Sequence, residues 1–143
     1  MGKKRIIKKS GQDLKPGASR SATRSIKRKL ERGILHINST YNNTGLLLTD
    51  TKGGAVASSS AGALGFKGSK KGTPFAAGKV GELLSEQAEQ AGLKDLDVVI
   101  KGVGAGRESA LRSFVARGFI VHSIVDKTPV PFNGPRPPKP RRV

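Results

Sequence analysis

Short apolar runs punctuated by Gly, Asn and Pro organise the middle of this chain. Gly33 to Ser39, carrying Ile34, Leu35, His36 and Ile37, has the length and bounds of a strand. Thr40-Tyr41-Asn42-Asn43 reads as a turn, because Asn tolerates left-handed backbone and caps itself locally. Thr44 to Thr49 and Ala55 to Ser60 give two further strands around the Asp50-Thr51-Lys52-Gly53-Gly54 loop, and the three predict an antiparallel meander. Thr73 and Pro74 then stand as N-cap and first residue of a helix. Phe75, Ala76, Val80, Leu83, Leu84, Ala88 and Ala91 keep its apolar spacing, Glu82, Glu86 and Glu89 face out, and Gly92 ends it. Gly78 and Gly81 each cost about 1 kcal/mol inside a helix, and close packing against the sheet is the expected compensation.

Leu96 to Lys101, centred on Val98-Val99-Ile100, reads as a buried strand. Gly102 to Gly106 turns into a second helix over Arg107 to Arg117, with Leu111, Phe114 and Val115 on one face and Gly118 as its stop. Phe119 to Val125 is the fifth strand. From Thr128 the repeated prolines allow neither helix nor central strand, so the end is an extended tail closing on Arg141-Arg142-Val143. The order βββαβαβ predicts a mixed α/β fold: a five-stranded sheet with two helices packed on its faces through right-handed crossovers.

Charge divides the 143 residues differently. Residues 1–32 hold twelve Lys or Arg against two acids, residues 33–126 ten against eight, and residues 127–143 five against none, for a net +17. A nearly neutral apolar centre thus carries two basic ends, and its self-repulsion is relieved by a polyanion, with nucleic acid the first candidate. We therefore expect a disordered arm over 1–32, a globular domain over 33–127 and a Pro/Arg-rich RNA-binding tail over 128–143. The absence of cysteine excludes disulfides and thiolate metal sites. No apolar run has membrane-span length and the N-terminus lacks a signal-peptide core. The expected location is cytoplasmic, with a transit peptide over the Ser-rich basic stretch 19–29 as the alternative.

Chemistry concentrates between Gly62 and Ala77, where Lys67, Lys70 and Lys71 sit among four glycines beside the hydroxyls of Ser69 and Thr73. Glycine permits close backbone approach, lysine adds charge, and the helix start behind the loop offers unpaired N–H groups, all of which favour phosphate oxygens. Gly102-Val103-Gly104-Ala105-Gly106 invites a dinucleotide-binding reading, yet no acidic residue follows to hold a ribose and the P-loop pattern fails. A tight turn whose N–H groups and Arg107 grip a backbone phosphate fits better. His36 and His122 belong to no triad spacing, and two histidines without cysteine make no metal site. Neither an enzyme nor a cofactor is expected. Tyr41, Phe66 and Phe132 sit in predicted loops, where an exposed ring stacks on an unpaired base or pins its own loop to the core.

Gly65-Phe66-Lys67-Gly68-Ser69-Lys70-Lys71-Gly72-Thr73-Pro74-Phe75-Ala76-Ala77 resembles the signature loop of the universal S-eleven family of small-ribosomal-subunit proteins. His36 to Thr44, Lys101 to Ser109 and the tail from Thr128 to Val143 are similar to further segments of that family in the same order, while Val103 and Ala105 stand where it commonly has prolines. The resemblance implies a ribonuclease-H-like three-layer fold and a non-catalytic structural role. It places such a protein on the subunit platform, bridging helices of the small-subunit ribosomal RNA and lining the cleft that holds the messenger's Shine–Dalgarno helix. Small-subunit proteins seven and eighteen are the implied neighbours, with initiation factor three on the same platform, and the tail favours a bacterial-type ribosome.

The candidate RNA contacts are Asn42, Asn43, Lys52, Phe66, Lys67, Gly68, Ser69, Lys70, Lys71, Thr73, Arg107, Asn133, Gly134, Arg136, Lys139, Arg141 and Arg142. In Asn133-Gly134 the unhindered glycine nitrogen is placed to attack the asparagine side chain, which makes Asn133 a candidate isoaspartate. Two other classes are weighed against this reading, a DNA-compacting basic protein and a nucleotide-dependent enzyme.

Overall fold

The computed structural model describes residues 29–139. Residues 1–28 of the arm expected over 1–32, and the tail residues Arg141 and Arg142, lie outside the described residues. The strands are β1 (Arg32–Ser39), β2 (Thr44–Asp50), β3 (Ala55–Ser60), β4 (Asp95–Lys101) and β5 (Ile120–Asp126); the helices are α1 (Pro74–Gln90) and α2 (Gly106–Ala116), with a short 3-10 helix over Gly68–Gly72. One sheet runs in the order β3-β2-β1-β4-β5. β1, β2 and β3 form the expected antiparallel meander, while β4 lies parallel to both β1 and β5. The mixed α/β order is the one the apolar pattern predicts.

Strand alternation decides which face is covered. Leu35 and Ile37 of β1, Leu46 and Leu48 of β2, and Leu96 and Val98 of β4 are buried, whereas the intervening Ile34, His36, Leu47, Asp97 and Val99 are only half-buried. Both crossovers step the same way across the sheet, so a shared hand sets both helices on one face. Ala77, Val80, Leu84 and Ala88 of α1 and Ala110 and Phe114 of α2 join the strand residues in one core. The expectation of helices on both faces is thereby corrected: among the described residues they form one layer, and the other face of the sheet is open.

The start of α1 is as expected, with the Ala76 N–H donating to Thr73 Oγ1 at 3.3 Å and Pro74 opening the helix. At its end Gly92 takes φ +80°, and the N–H groups of Gly92 and Leu93 donate to the carbonyls of Glu89 and Ala88. That pair of bonds is a Schellman stop, which needs the left-handed residue only glycine adopts cheaply. The core stripe of α1 is narrower than its apolar spacing predicts, since Phe75 is 67% exposed and lies off it. In α2 Val115 likewise faces out, and Ala110 rather than Val115 shares the buried face with Phe114.

Two further corrections concern boundaries and glycines. Leu30 N–H donates to Ala91 O, and Glu31 O accepts from the N–H groups of Lys94 and Asp95. Arg32 pairs with Asp97 at 2.8 Å. Residues 30–32, assigned by charge to the arm, are therefore part of the fold. Gly81 packs against α2 rather than the sheet: a Cβ there would sit 2.7 Å from Ser113 Cβ and 3.1 Å from Ala110 O. At Gly78 the nearest atom to such a Cβ is Ser113 Oγ at 3.9 Å.

The two glycines should consequently respond in opposite directions to alanine. Gly81→Ala forces the helices apart and should destabilise the chain by about 1–3 kcal/mol. Gly78→Ala adds helix propensity without a clash and should stabilise it by about 0.5–1 kcal/mol. Urea unfolding of the full chain checks both; equal effects would show that the helix contact is not tight at Gly81.

Candidate nucleic-acid interface

Four segments that are distant in sequence meet at one end of the sheet. β1 and β4 are parallel, with Asn38 opposite Lys101, so the turn after β1 and the glycine turn after β4 leave side by side. The Gly104 N–H donates to Ser39 O at 2.9 Å. A Cβ at 102 would collide with Ser39 O, one at 104 with Thr40 O, and one at 106 with Thr44 Oγ1. From the other side, a Cβ at 72 would collide with Tyr41 O. The turn 40–43 is thus gripped between the 3-10 helix and the glycine turn, at a backbone separation that no side chain survives.

The turn is closed internally as well: Thr40 N–H and Thr40 Oγ1 both donate to Asn43 O, and Asn43 N–H donates to Thr40 Oγ1. That leaves Tyr41, 79% exposed, and Asn42 projecting outward. Asn43 is half-buried, and its Oδ1 is shielded with no hydrogen-bond partner among the described residues.

Beside this turn the lysine loop is ordered by its glycines. Gly65 and Gly68 take φ +91° and +61°, and the 3-10 helix closes when Thr73 N–H and Thr73 Oγ1 donate to Lys70 O. Lys67, Ser69 and Lys70 are exposed and Lys71 partly so, and none of the three lysines has an ion pair among the described residues. Phe66 is half-buried against the core and meets Phe75 edge-on at 6.2 Å, so its ring pins the loop. The ring left exposed is Phe75, with Lys79 Nζ 5.9 Å from its centroid. The apolar spacing of α1 hid that aromatic by assigning it to the core.

Both helices begin at this end, adding the positive poles of their peptide dipoles. α2 has no side-chain cap at Ala105, so its first N–H groups lack that partner. The tail leaves from the same place. Lys127 N–H donates to Ile100 O, Gly102 N–H donates to Thr128 Oγ1, and Thr128 N–H and Oγ1 donate to Asp126 Oδ1 at 2.9 and 2.5 Å. Those bonds from Thr128, with Arg107 beside them, hold the Asp126 carboxyl below the usual carboxylate range. Arg107 approaches the same carboxylate at 3.7 Å. Beyond it Phe132, Gly134, Arg136 and Lys139 are exposed, and Asn133 takes φ 53°.

Lys52 is the described candidate that stands apart. It sits in the β2–β3 hairpin, and Asp50 pairs with Gly33 at the opposite end of β1 from the turn. Conversely, the sequence reading missed Lys101 and Lys127. Both lie near His36 on the open face, where burial first and then these two charges lower the imidazole pKa. A strand-end lysine in a single sequence carries no mark of which face it joins, so register was needed to find them.

The sign of the His36 effect gives a test. The folded chain binds the imidazole proton less readily than the unfolded chain, so this contribution to stability is complete above the ordinary histidine pKa and is lost as pH falls below it. Lys101→Gln should raise the His36 pKa in an NMR titration of the folded chain; an unmoved value would place Lys101 elsewhere.

Residues 33–142 match the family model of ribosomal protein S11. The match spans the turn after β1, the lysine loop, the glycine turn and the tail that the fold gathers at one end. The chain belongs to the ribosomal protein S11 family, and is a small-subunit ribosomal protein that binds ribosomal RNA and works in translation.

Proposed function

We propose that the pole formed by the turn 40–43, the lysine loop, the glycine turn and the tail grips the sugar–phosphate backbone of small-subunit ribosomal RNA and bridges separate RNA helices. The pattern of ion pairing carries this reading. Arg32, Lys79, Arg107, Arg112 and Arg117 each have a carboxylate partner; Lys67, Lys70 and Lys71 have none among the described residues, and although Lys52 and Lys94 are also without one, they stand singly at the other end of the sheet while the pole gathers three on one short loop. Cations left without acids beside two helix N-termini are matched to an external polyanion. The family is structural rather than enzymatic, and the role is to hold RNA in place. A place on the platform lining the Shine–Dalgarno cleft, with small-subunit proteins seven and eighteen and initiation factor three as neighbours, rests on the family likeness alone.

Within the pole, Lys67, Lys70, Lys71, Arg136 and Lys139 supply charge, while Gly68, Ser69, Thr73, Asn42 and Asn43 supply close backbone and polar contacts. Arg107 is oriented by Asp126, and Lys52 makes a separate contact at the far end. Asn133 and Gly134 set the direction of the tail. If Gly134 N attacks the Asn133 side-chain carbonyl, ammonia leaves, and water opens the succinimide to isoaspartate. A linkage of that kind in assembled subunits is part of the proposal. Electron-based fragmentation of protein from intact subunits should find isoaspartate at 133, and an unmodified asparagine there removes it.

Joint replacement of Lys67, Lys70 and Lys71 by alanine should leave the melting temperature within a few degrees of the parent, since exposed lysines contribute little to folding. The log–log salt slope of binding to small-subunit ribosomal RNA should fall by about 2–3, at roughly 0.7–0.9 per phosphate released. Deleting residues 1–28 should flatten the slope further without unfolding the domain. A large loss of stability with an unchanged slope would make the loop structural and overturn the proposal.

A further inference from the structure

The open face of the sheet holds a feature that the RNA-gripping pole does not explain. Gly72, Gly102, Gly104 and Gly106 are fixed by close contacts, but Gly45 in β2 has no such cause. Its φ is not positive, and a Cβ there would meet nothing nearer than Ser60 Cβ at 4.0 Å. Glycine inside a strand costs about 0.5–1 kcal/mol and often marks a place where a ligand comes close. Its missing side chain opens a depression of about 380 Å³ lined by His36, Asn38, Leu47, Ser59 and Lys101. That volume is within the roughly 300–1,000 Å³ of ordinary small-molecule sites.

The lining has a definite chemistry. Thr49 Oγ1 donates its one proton to Ile34 O at 3.3 Å, so His36 Nε2–H donates to Thr49 Oγ1 at 3.2 Å. Burial, with Lys101 and Lys127 nearby, lowers the imidazole pKa and so favours the neutral form, in which this bond leaves Nδ1 as an acceptor. Asn38 adds an amide, Leu47 an apolar surface and Lys101 an ammonium, and no carboxylate lines the depression. Lys101 is opposite Asn38 at the strand end that leads into the turn 40–43, so the depression adjoins the pole.

We propose that this depression receives one unpaired nucleotide of the bound ribosomal RNA, its base seated over Gly45 against Leu47 and His36 and its phosphate held by Lys101. The proposal rests on the RNA-binding reading above and deepens it. A planar, partly apolar base with donors and acceptors on its edges fits an apolar floor ringed by an amide and a neutral imidazole. The adjoining cations favour a nucleotide over a protein side chain.

The test is Gly45→Val, because a β-branched residue suits a strand and finds open space there. The melting temperature of the full chain should stay level or rise. Base-specific chemical probing of small-subunit ribosomal RNA bound by the parent protein should show a protected unpaired nucleotide that Gly45→Val exposes, with the other protections kept. Affinity should fall roughly tenfold, in the range of one lost stacked base. Lys101→Ala should weaken the same protection and lower the salt slope by about one, and this variant decides the matter if Gly45→Val fails to fold. An unchanged footprint and affinity in a folded Gly45→Val protein overturns the proposal while leaving RNA binding by the pole intact. Loss of a neighbouring ribosomal protein instead of a nucleotide protection overturns it in favour of a protein side chain. Absence of any protection by the parent protein overturns both readings.

Discussion

The backbone contact around Ser39 and Thr40 is the constraint on which the rest depends. Two chain segments, the 3-10 helix and the glycine turn, press on the turn after β1 so closely that Cβ atoms at 72, 102 and 104 would overlap backbone atoms of residues 39–41. Their order follows from the topology. A parallel β1–β4 pair ends both strands on one side, and β3, antiparallel to β2 and so running with β1, ends there too, which puts both helix starts on that side. The site is a consequence of parallel pairing, since an antiparallel β4 would have sent the glycine turn to the far end with Lys52.

Charge is then distributed around this geometry. On the helices, arginine and lysine face glutamate: Arg117 bridges Glu86 and Glu89, and Arg112 pairs with Glu108. Surface pairs of this kind stabilise little individually, but they neutralise the sides of the molecule. The pole keeps Lys67, Lys70 and Lys71 without ion pairs among the described residues, and the carboxylate of Asp126 there is occupied by Thr128 and Arg107. The domain therefore presents a directed positive field although residues 33–126 are nearly neutral, with ten basic and eight acidic residues.

Much of this was legible in the sequence, because local signals govern what they touch. Thr73-Pro74 specified a helix start and Gly92 a stop, and each works through hydrogen bonds within a few residues. The spacing of apolar positions located all five strands and both helices. What failed was long-range. Phe75 and Val115 fit the helical period but face solvent, since the contact between α1 and α2 needs small residues, Gly81 against Ser113, and leaves no room for a wider stripe. Leu30 to Arg32 looked like part of a charged arm because their partners, Ala91, Lys94, Asp95 and Asp97, lie about sixty residues away along the chain. Lys101 and Lys127 had no signature, as only strand register brings them to His36.

The tail shows how a local bond has a distant consequence. A proline-rich segment cannot join the sheet, so its direction must be fixed where it leaves. Asp126 bonds Thr128 through both N–H and hydroxyl, the Thr128 oxygen accepts from Gly102, and two residues on Gly104 donates to Ser39 O. A continuous chain of short contacts thus runs from the base of the tail to the turn after β1. Asp126 also orients Arg107, so one carboxylate sets both the exit of the tail and a cation beside it. An acid in a basic pole weakens its positive field, and what Asp126 contributes in return is a fixed direction for a segment that no sheet pairing could hold.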